Sequence, residues 1–197
     1  MADEDRERWN RRYRERYEAR DYQWEPSRWL AEIEADLMPP SIKARALDLA
    51  CGGGRNSVWL AQHGWSVDAW DLSDVGLEIL GQKLAEHEGD ARPLDVRPRQ
   101  VDLDQMTVPA ESYDLIVNVL FLDRRLWPSM AAALLPGGRL LFETFVDVGP
   151  GSRPSVSPDH LLAPGELRRA FEALGLETLA FDEEAARGTA RLLARRP

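Results

Sequence analysis

Apolar residues in this chain fall into short unbroken runs set between amphipathic stretches, the pattern of buried parallel strands alternating with helices. Residues 46–50 and 65–70 form the first two runs, joined by a helical stretch at 55–63 that Gly64 suits as a C-terminal cap. Ser73 or Asp74 caps a following helix reaching about residue 88, with Leu77, Leu80 and Leu84 on its buried face. Pro93 and Pro98 interrupt residues 91–105, so a third strand there must be short or lie at an edge. Residues 113–120, YDLIVNVL, read as a fully buried strand, 122–135 as a helix, and Pro136-Gly137-Gly138 as a type II turn into a strand at 139–146. A Pro, Gly and Ser-rich loop at 147–163 precedes a helix at 164–174 facing the core through Leu167, Phe171 and Leu174. Strands at 176–181 and 189–194 close the chain.

Upstream, residues 3–20 are nearly all Arg and Glu, yet Trp9, Tyr13 and Tyr17 recur every fourth position on one helical face. A second helix is expected over 26–37, ended by Pro39-Pro40. This predicts an N-terminal helical segment, residues 1–40, that either docks through its aromatic stripe or closes as a lid over a main domain spanning 41–197.

Chemistry concentrates between the first two strands. Gly52, Gly53 and Gly54 allow a tight turn and close approach of a ligand. A dinucleotide fingerprint wants a third glycine where this chain has Ser57, and Asp48 before the turn would repel a pyrophosphate. Asp48 suits a positive amine instead, and Asp71, ending the second strand, suits a ribose diol. A nucleoside with an ammonium group and no phosphate describes S-adenosyl-L-methionine.

The stretch D-L-A-C-G-G-G-R-N-S followed by G-W-S-V-D-A-W-D resembles the cofactor motifs of class I S-adenosylmethionine-dependent methyltransferases, and among them the small tellurite-resistance-type enzymes. The resemblance implies an α/β, Rossmann-like, doubly wound seven-stranded sheet, mostly parallel with an antiparallel C-terminal strand and helices on both faces. It implies a cofactor site drawn from Asp48, Ala50, Gly52, Gly54, Arg55, Asn56, Asp71, Leu72, Asp102, Leu103 and Asn118. Arg55 and Asn56 would lie beside the methionine part, Asp102 would bond the adenine amine, and Leu103 would pack on the ring. Simpler readings stand beside these: Asn56 and Ser57 capping a helix, and Asp102 in a solvated acidic loop. Acceptor-site candidates are Tyr13, Tyr17, Phe121, Arg124, Arg153, His160 and Arg187. The Asn/Asp-Pro-Pro-Tyr/Phe motif of amino-nitrogen methyltransferases is absent after the fourth strand. The tellurite-resistance enzymes carry His and Arg between their last two strands, where this chain offers Arg187 and no histidine.

Composition narrows the partners. A net charge of −9 over 197 residues argues against a large nucleic-acid footprint, and the single cysteine, Cys51, excludes an intrachain disulfide. No His/Cys/Asp/Glu cluster has metal-ligand spacing, and no apolar stretch reads as a signal peptide or membrane span. A cytoplasmic monomer or homodimer acting on a small-molecule methyl acceptor is the expectation. A thiol or a selenium or tellurium oxyanion needs no strong general base, and Arg55, Arg124, Arg153 and Arg187 would suit an anionic acceptor. The alternatives are a macromolecule-directed methyltransferase, a non-catalytic S-adenosylmethionine-binding protein and, disfavoured by Ser57 and Asp48, an NAD-dependent oxidoreductase.

Overall fold

The computed structural model describes residues 2–149, 156–184 and 188–197. The chain divides into two compact units, residues 1–106 and 107–197. Its seven strands form one sheet in the order β3-β2-β1-β4-β5-β7-β6.

The first unit contains α1 (Ala2–Glu18), α2 (Arg28–Glu32), β1 (Arg45–Leu49), α3 (Arg55–Gln62), β2 (Ser66–Asp71), α4 (Asp74–Ala85) and β3 (Val96–Gln100). β1 pairs parallel with β2, and β2 with β3. Ala46, Leu47, Leu49, Val67 and Ala69 are completely buried, which is why these strands read as unbroken apolar runs. β3 occupies the edge, where Pro98 costs no essential ladder bond. Ser73 caps α4, its hydroxyl accepting the Gly76 N–H at 3.0 Å. Ile79 and Leu80 bury the face of α4, whereas Leu77 and Leu84 are only partly covered, and the helix stops at Ala85. The helix expected over 26–37 is broken. α2 ends at Glu32, Ile33 leaves helical geometry at φ −107°, and a 3-10 turn, Glu34–Leu37, follows. α1 packs along α4 as part of this unit, with Asn10 bonded to Ser73 and Asp74.

The second unit contains β4 (Tyr113–Val119), α5 (Trp127–Ala133), β5 (Leu134–Phe145), α6 (Glu166–Ala173), β6 (Glu177–Glu184) and β7 (Thr189–Arg195). β4 and β5 are parallel, and β7 runs antiparallel to both β5 and β6. The Pro-Gly-Gly segment lies within β5 as a register shift, with Gly137 at φ +80°. The expected 122–135 helix opens as a 3-10 turn, Arg124–Leu126, capped by Asp123, before α5 begins. Trp127, Phe142 and Phe171 form a ring cluster that fixes α5 and α6 on one sheet face. Leu167 and Phe171 are buried as expected, but Leu174 is exposed, because α6 ends at Ala173 and Leu174 turns outward at its C-cap. Among the described residues, no helix is long and apolar enough to cross a membrane.

Candidate cofactor site

The turn between β1 and α3 is built from left-handed backbone. Ala50, Gly52 and Gly54 have φ of +55°, +58° and +78°. Two of the three are glycine, the residue that adopts this region at no steric cost. Asp71 holds the turn from the end of β2: its Oδ2 accepts the Gly52 N–H at 2.7 Å and its Oδ1 the Ser73 N–H at 2.8 Å. Asp48 lies beneath. It is buried and accepts the Ser57 hydroxyl at 2.5 Å, which explains a serine where a dinucleotide fold keeps its third glycine. Burial pushes the Asp48 carboxyl up to about 7, against the lowering effect of Ser57, and burial raises Asp71 as well. Cys51 is buried beside both carboxylates, and that burial raises its thiol well above the usual range, so it is an inert small residue.

The capping role open to Asn56 and Ser57 is not what their side chains do. α3 has no side-chain cap; Gly54 starts it. Asn56 Oδ1 accepts the Ser27 N–H at 2.8 Å, tying the segment before α2 to the turn. Leu72 follows Asp71, and its carbonyl accepts Gln100 Nε2 at 3.1 Å. Asp102 and Leu103 follow β3. Leu103 is buried, while the Asp102 carboxylate closes its own turn on the Asp104 N–H and Gln105 Nε2. Two aromatic side chains lie on the glycine turn. The Tyr13 and Tyr22 hydroxyls stand against Gly52 and Gly53, in the space a Cβ would take at each. Tyr17 lies farther along α1, bonded to Gln82 at 2.8 Å.

In the second unit the carboxyl ends of the parallel strands gather irregular features. Asn118, a predicted site residue, is buried; its Nδ2 donates to the Phe121 carbonyl at 2.8 Å and its Oδ1 has no partner among the described residues. Leu120 is left-handed at φ +61°, and its N–H donates to the Glu143 carbonyl. On the next strands Glu143 and Arg191 sit directly opposite each other, both buried, with Nε to Oε1 at 3.3 Å. Thr189, two residues before Arg191, has a buried hydroxyl without a partner among the described residues. Sequence reasoning missed Glu143, Arg191 and Thr189. The available signal was an acid inside the apolar run RLLFETFV and an arginine inside TARLLAR.

Arg124 is fastened elsewhere. Its guanidinium meets both oxygens of Glu166 and the carbonyls of Asp159 and Leu161. The Glu166 bond raises the Arg124 pKa, and the same bond lowers that of Glu166. Arg124 therefore clasps the segment before α6. His160 is exposed in the 3-10 turn Pro158–His160. Arg153 and Arg187 lie outside the described residues.

Residues 46–138, from β1 through α5 into β5, match the methyltransferase domain family. Over that segment the chain is similar to methyltransferase domains. A ubiquinone biosynthesis O-methyltransferase of Coxiella burnetii is 30% identical over 103 residues, covering 50% of this chain and 42% of that protein. The match thus spans about two fifths of the length of that curated relative. TehB from Haemophilus influenzae superposes with a TM-score of 0.72 at 23% identity, over 92% of this chain and 66% of TehB. A TehB-like S-adenosylmethionine-dependent methyltransferase from Corynebacterium glutamicum covers 98% of each chain at a TM-score of 0.65 and 19% identity. At these identities the two structures establish the fold. The residues present fit S-adenosyl-L-methionine, the cofactor of such domains, in their chemistry: Asp71 holds the left-handed glycine turn and Asp48 lies buried beside it, two carboxylates for a ligand with an ammonium group and a ribose diol.

Proposed function

We propose that this protein is an S-adenosylmethionine-dependent methyltransferase acting on a small polar acceptor. The observation that carries the cofactor half is the glycine turn with Asp48 below and Asp71 beside it. Asp48, once ionised, offers its charge to the amino acid end of the cofactor, and Ser57 holds its carboxylate in place. Gly52 and Ser73 hold the Asp71 carboxylate in place, and its remaining lone pairs would accept from the ribose diol. When bound, S-adenosylmethionine supplies an electrophilic methyl carbon on a sulfonium, open to in-line displacement by the acceptor's lone pair. The chain's own contribution is then positioning and exclusion of water, which is worth roughly 7–11 kcal/mol when reacting atoms are well aligned.

The buried Glu143–Arg191 pair supports the acceptor half. A buried ion pair costs desolvation and is weak evidence for stability. It lies at the carboxyl end of β5, the end at which open α/β sheets bind ligands. Glu143 accepts from a hydroxyl, amine or thiol of the acceptor, and Arg191 meets an anionic group on it. The relatives' names leave the acceptor open: one names ubiquinone biosynthesis and an oxygen acceptor, and TehB's names no acceptor.

A thermal-shift assay tests the cofactor half: S-adenosylhomocysteine raises the melting temperature and NAD does not. Labelled methyl transfer to thiols, phenols, selenite, tellurite, RNA and protein tests the acceptor half. Transfer to RNA or protein alone sinks the small-molecule reading.

A further inference from the structure

We infer that the methyl acceptor is a small zwitterion, with an ammonium group beside its anionic group, and that Thr189, Asp182 and Glu184 receive the ammonium end. This deepens the acceptor half of the proposed function and rests on it. β5, β7 and β6 lie side by side, and their register sets two rows on one sheet face. Glu143, Arg191 and Asp182 form the first row, and Phe145, Thr189 and Glu184 the second, because opposed residues share a face and every second residue returns to it. The other face holds Phe142, Leu192 and Phe181 in register, with the Trp127 and Phe171 rings against Phe142.

Charges on an edge strand commonly guard it against pairing with another chain, which accounts for Asp182 and Glu184 on β6. That role does not account for Glu143 on β5 or Arg191 on β7, which are buried on interior strands. Thr189 stands two residues from Arg191 on the same face. It is 7% exposed, and its hydroxyl has no partner among the described residues. A buried hydroxyl left unbonded costs free energy, so its place between Phe145 and Glu184 points to a ligand group there.

The balance of charge chooses the class. Three carboxylates, Glu143, Asp182 and Glu184, share these rows with one guanidinium, Arg191. An acceptor that is only an anion, such as selenite or tellurite, gains Arg191 but faces an excess of like charge, which discriminates strongly against it. An acceptor that is only a cation meets the acids and brings nothing to Arg191. A zwitterion matches both signs. Its anionic group meets Arg191, whose guanidinium Glu143 orients at 3.3 Å, and its ammonium donates to the Thr189 hydroxyl and the carboxylates of β6. Arg191 and Glu184 are diagonal neighbours across the β7–β6 ladder, roughly 7–8 Å apart at their backbones and within reach of one small molecule through their long side chains.

The experiment first measures S-adenosylhomocysteine binding to the full chain by thermal shift, then labelled methyl transfer to two matched sets of acceptors. The thiol set is L-cysteine, 3-mercaptopropionate and cysteamine; the phenol set is L-tyrosine, 3-(4-hydroxyphenyl)propionate and tyramine. In at least one set the zwitterion is methylated with a kcat/KM about tenfold or more above both singly charged analogues. Thr189→Val, and the double variant Asp182→Asn with Glu184→Gln, keep cooperative melting curves, raise the KM for the zwitterion and erase most of its advantage. Equal or better transfer to a singly charged analogue, to selenite or to tellurite overturns the zwitterion, as does absence of transfer to both zwitterions while S-adenosylhomocysteine binds. An advantage that both variants leave intact overturns the assignment to Thr189, Asp182 and Glu184. Failure of S-adenosylhomocysteine to bind overturns the cofactor reading and the acceptor class with it.

Discussion

At the scale of single residues, Asp48 makes the sharpest prediction. Burial pushes its carboxyl up to about 7. Below that pH it is neutral and offers no charge to a ligand ammonium; above it the charge is present. S-adenosylhomocysteine binding should therefore tighten about tenfold between pH 6 and pH 8, with a proton released on binding below pH 7. Asp48→Asn should flatten this dependence, as read by calorimetry in two buffers of different ionisation enthalpy. Glu143 and Arg191 make a complementary prediction. Glu143→Gln keeps the shape and removes the charge, so it should leave S-adenosylhomocysteine affinity unchanged while raising the KM of the acceptor about tenfold or more. Loss of cofactor affinity in that variant would move the pair out of the acceptor role. Some of this was legible in the sequence. Asp48 stands out because it interrupts an apolar run just before the glycines, and Asp71 because it ends the next apolar run. The Ser57–Asp48 bond and the Glu143–Arg191 pair did not, because a side-chain partner 9 or 48 positions away leaves no local periodicity.

At the scale of elements, the strands and the helices between them follow from alternating apolar runs, and the ends of the elements follow from local caps. β1, α3, β2 and β7 lie where the pattern predicts them, and β7 runs antiparallel as the resemblance implies. The failures share a cause. The 26–37 segment reads as one amphipathic helix, yet Ile33 breaks it while Trp29, Leu30 and Leu37 are all buried, so tertiary burial overrode local propensity. Arg124 read as an acceptor contact because charge alone does not reveal a partner 42 positions away. In the fold it ties the start of the second unit's helical segment to Glu166 and two carbonyls. Arg124→Ala should cost roughly 1 kcal/mol, discounted for its exposure. Glu166→Ala should cost a similar amount, and the double variant clearly less than the sum in urea titrations. Gly54 tests the turn itself. Its φ is +78° and an added Cβ would strike Leu80, so Gly54→Ala should destabilise by about 1–3 kcal/mol.

At the scale of the whole chain, the dry carboxylates make stability depend on pH in an unusual direction. Unfolded, Asp48 and Asp71 ionise near the ordinary aspartate value of 3.8; folded, both are raised, Asp48 to about 7. Between pH 4 and 7 the folded chain thus holds protons that the unfolded chain has released. Stability is then fully present below the unfolded value and is lost as pH rises through the folded one. The paired carboxylate Glu166 works the other way, but its folded value is lowered, so its contribution changes only on the acid side of that window. The net charge of −9 adds self-repulsion in the same direction as Asp48, which is why a variant is needed to separate them. Urea unfolding of the ligand-free chain should lose up to roughly 1 kcal/mol per pH unit from pH 5 to pH 7 and level off above. Asp48→Asn should remove most of that slope while keeping the share due to net charge. Saturating S-adenosylhomocysteine should invert the trend, because a bound ammonium favours the ionised carboxylate, so the ligand-induced rise in melting temperature grows from pH 6 to pH 8. A ligand shift that is equal at both pH values would mean that the charge of Asp48 is not what meets the cofactor.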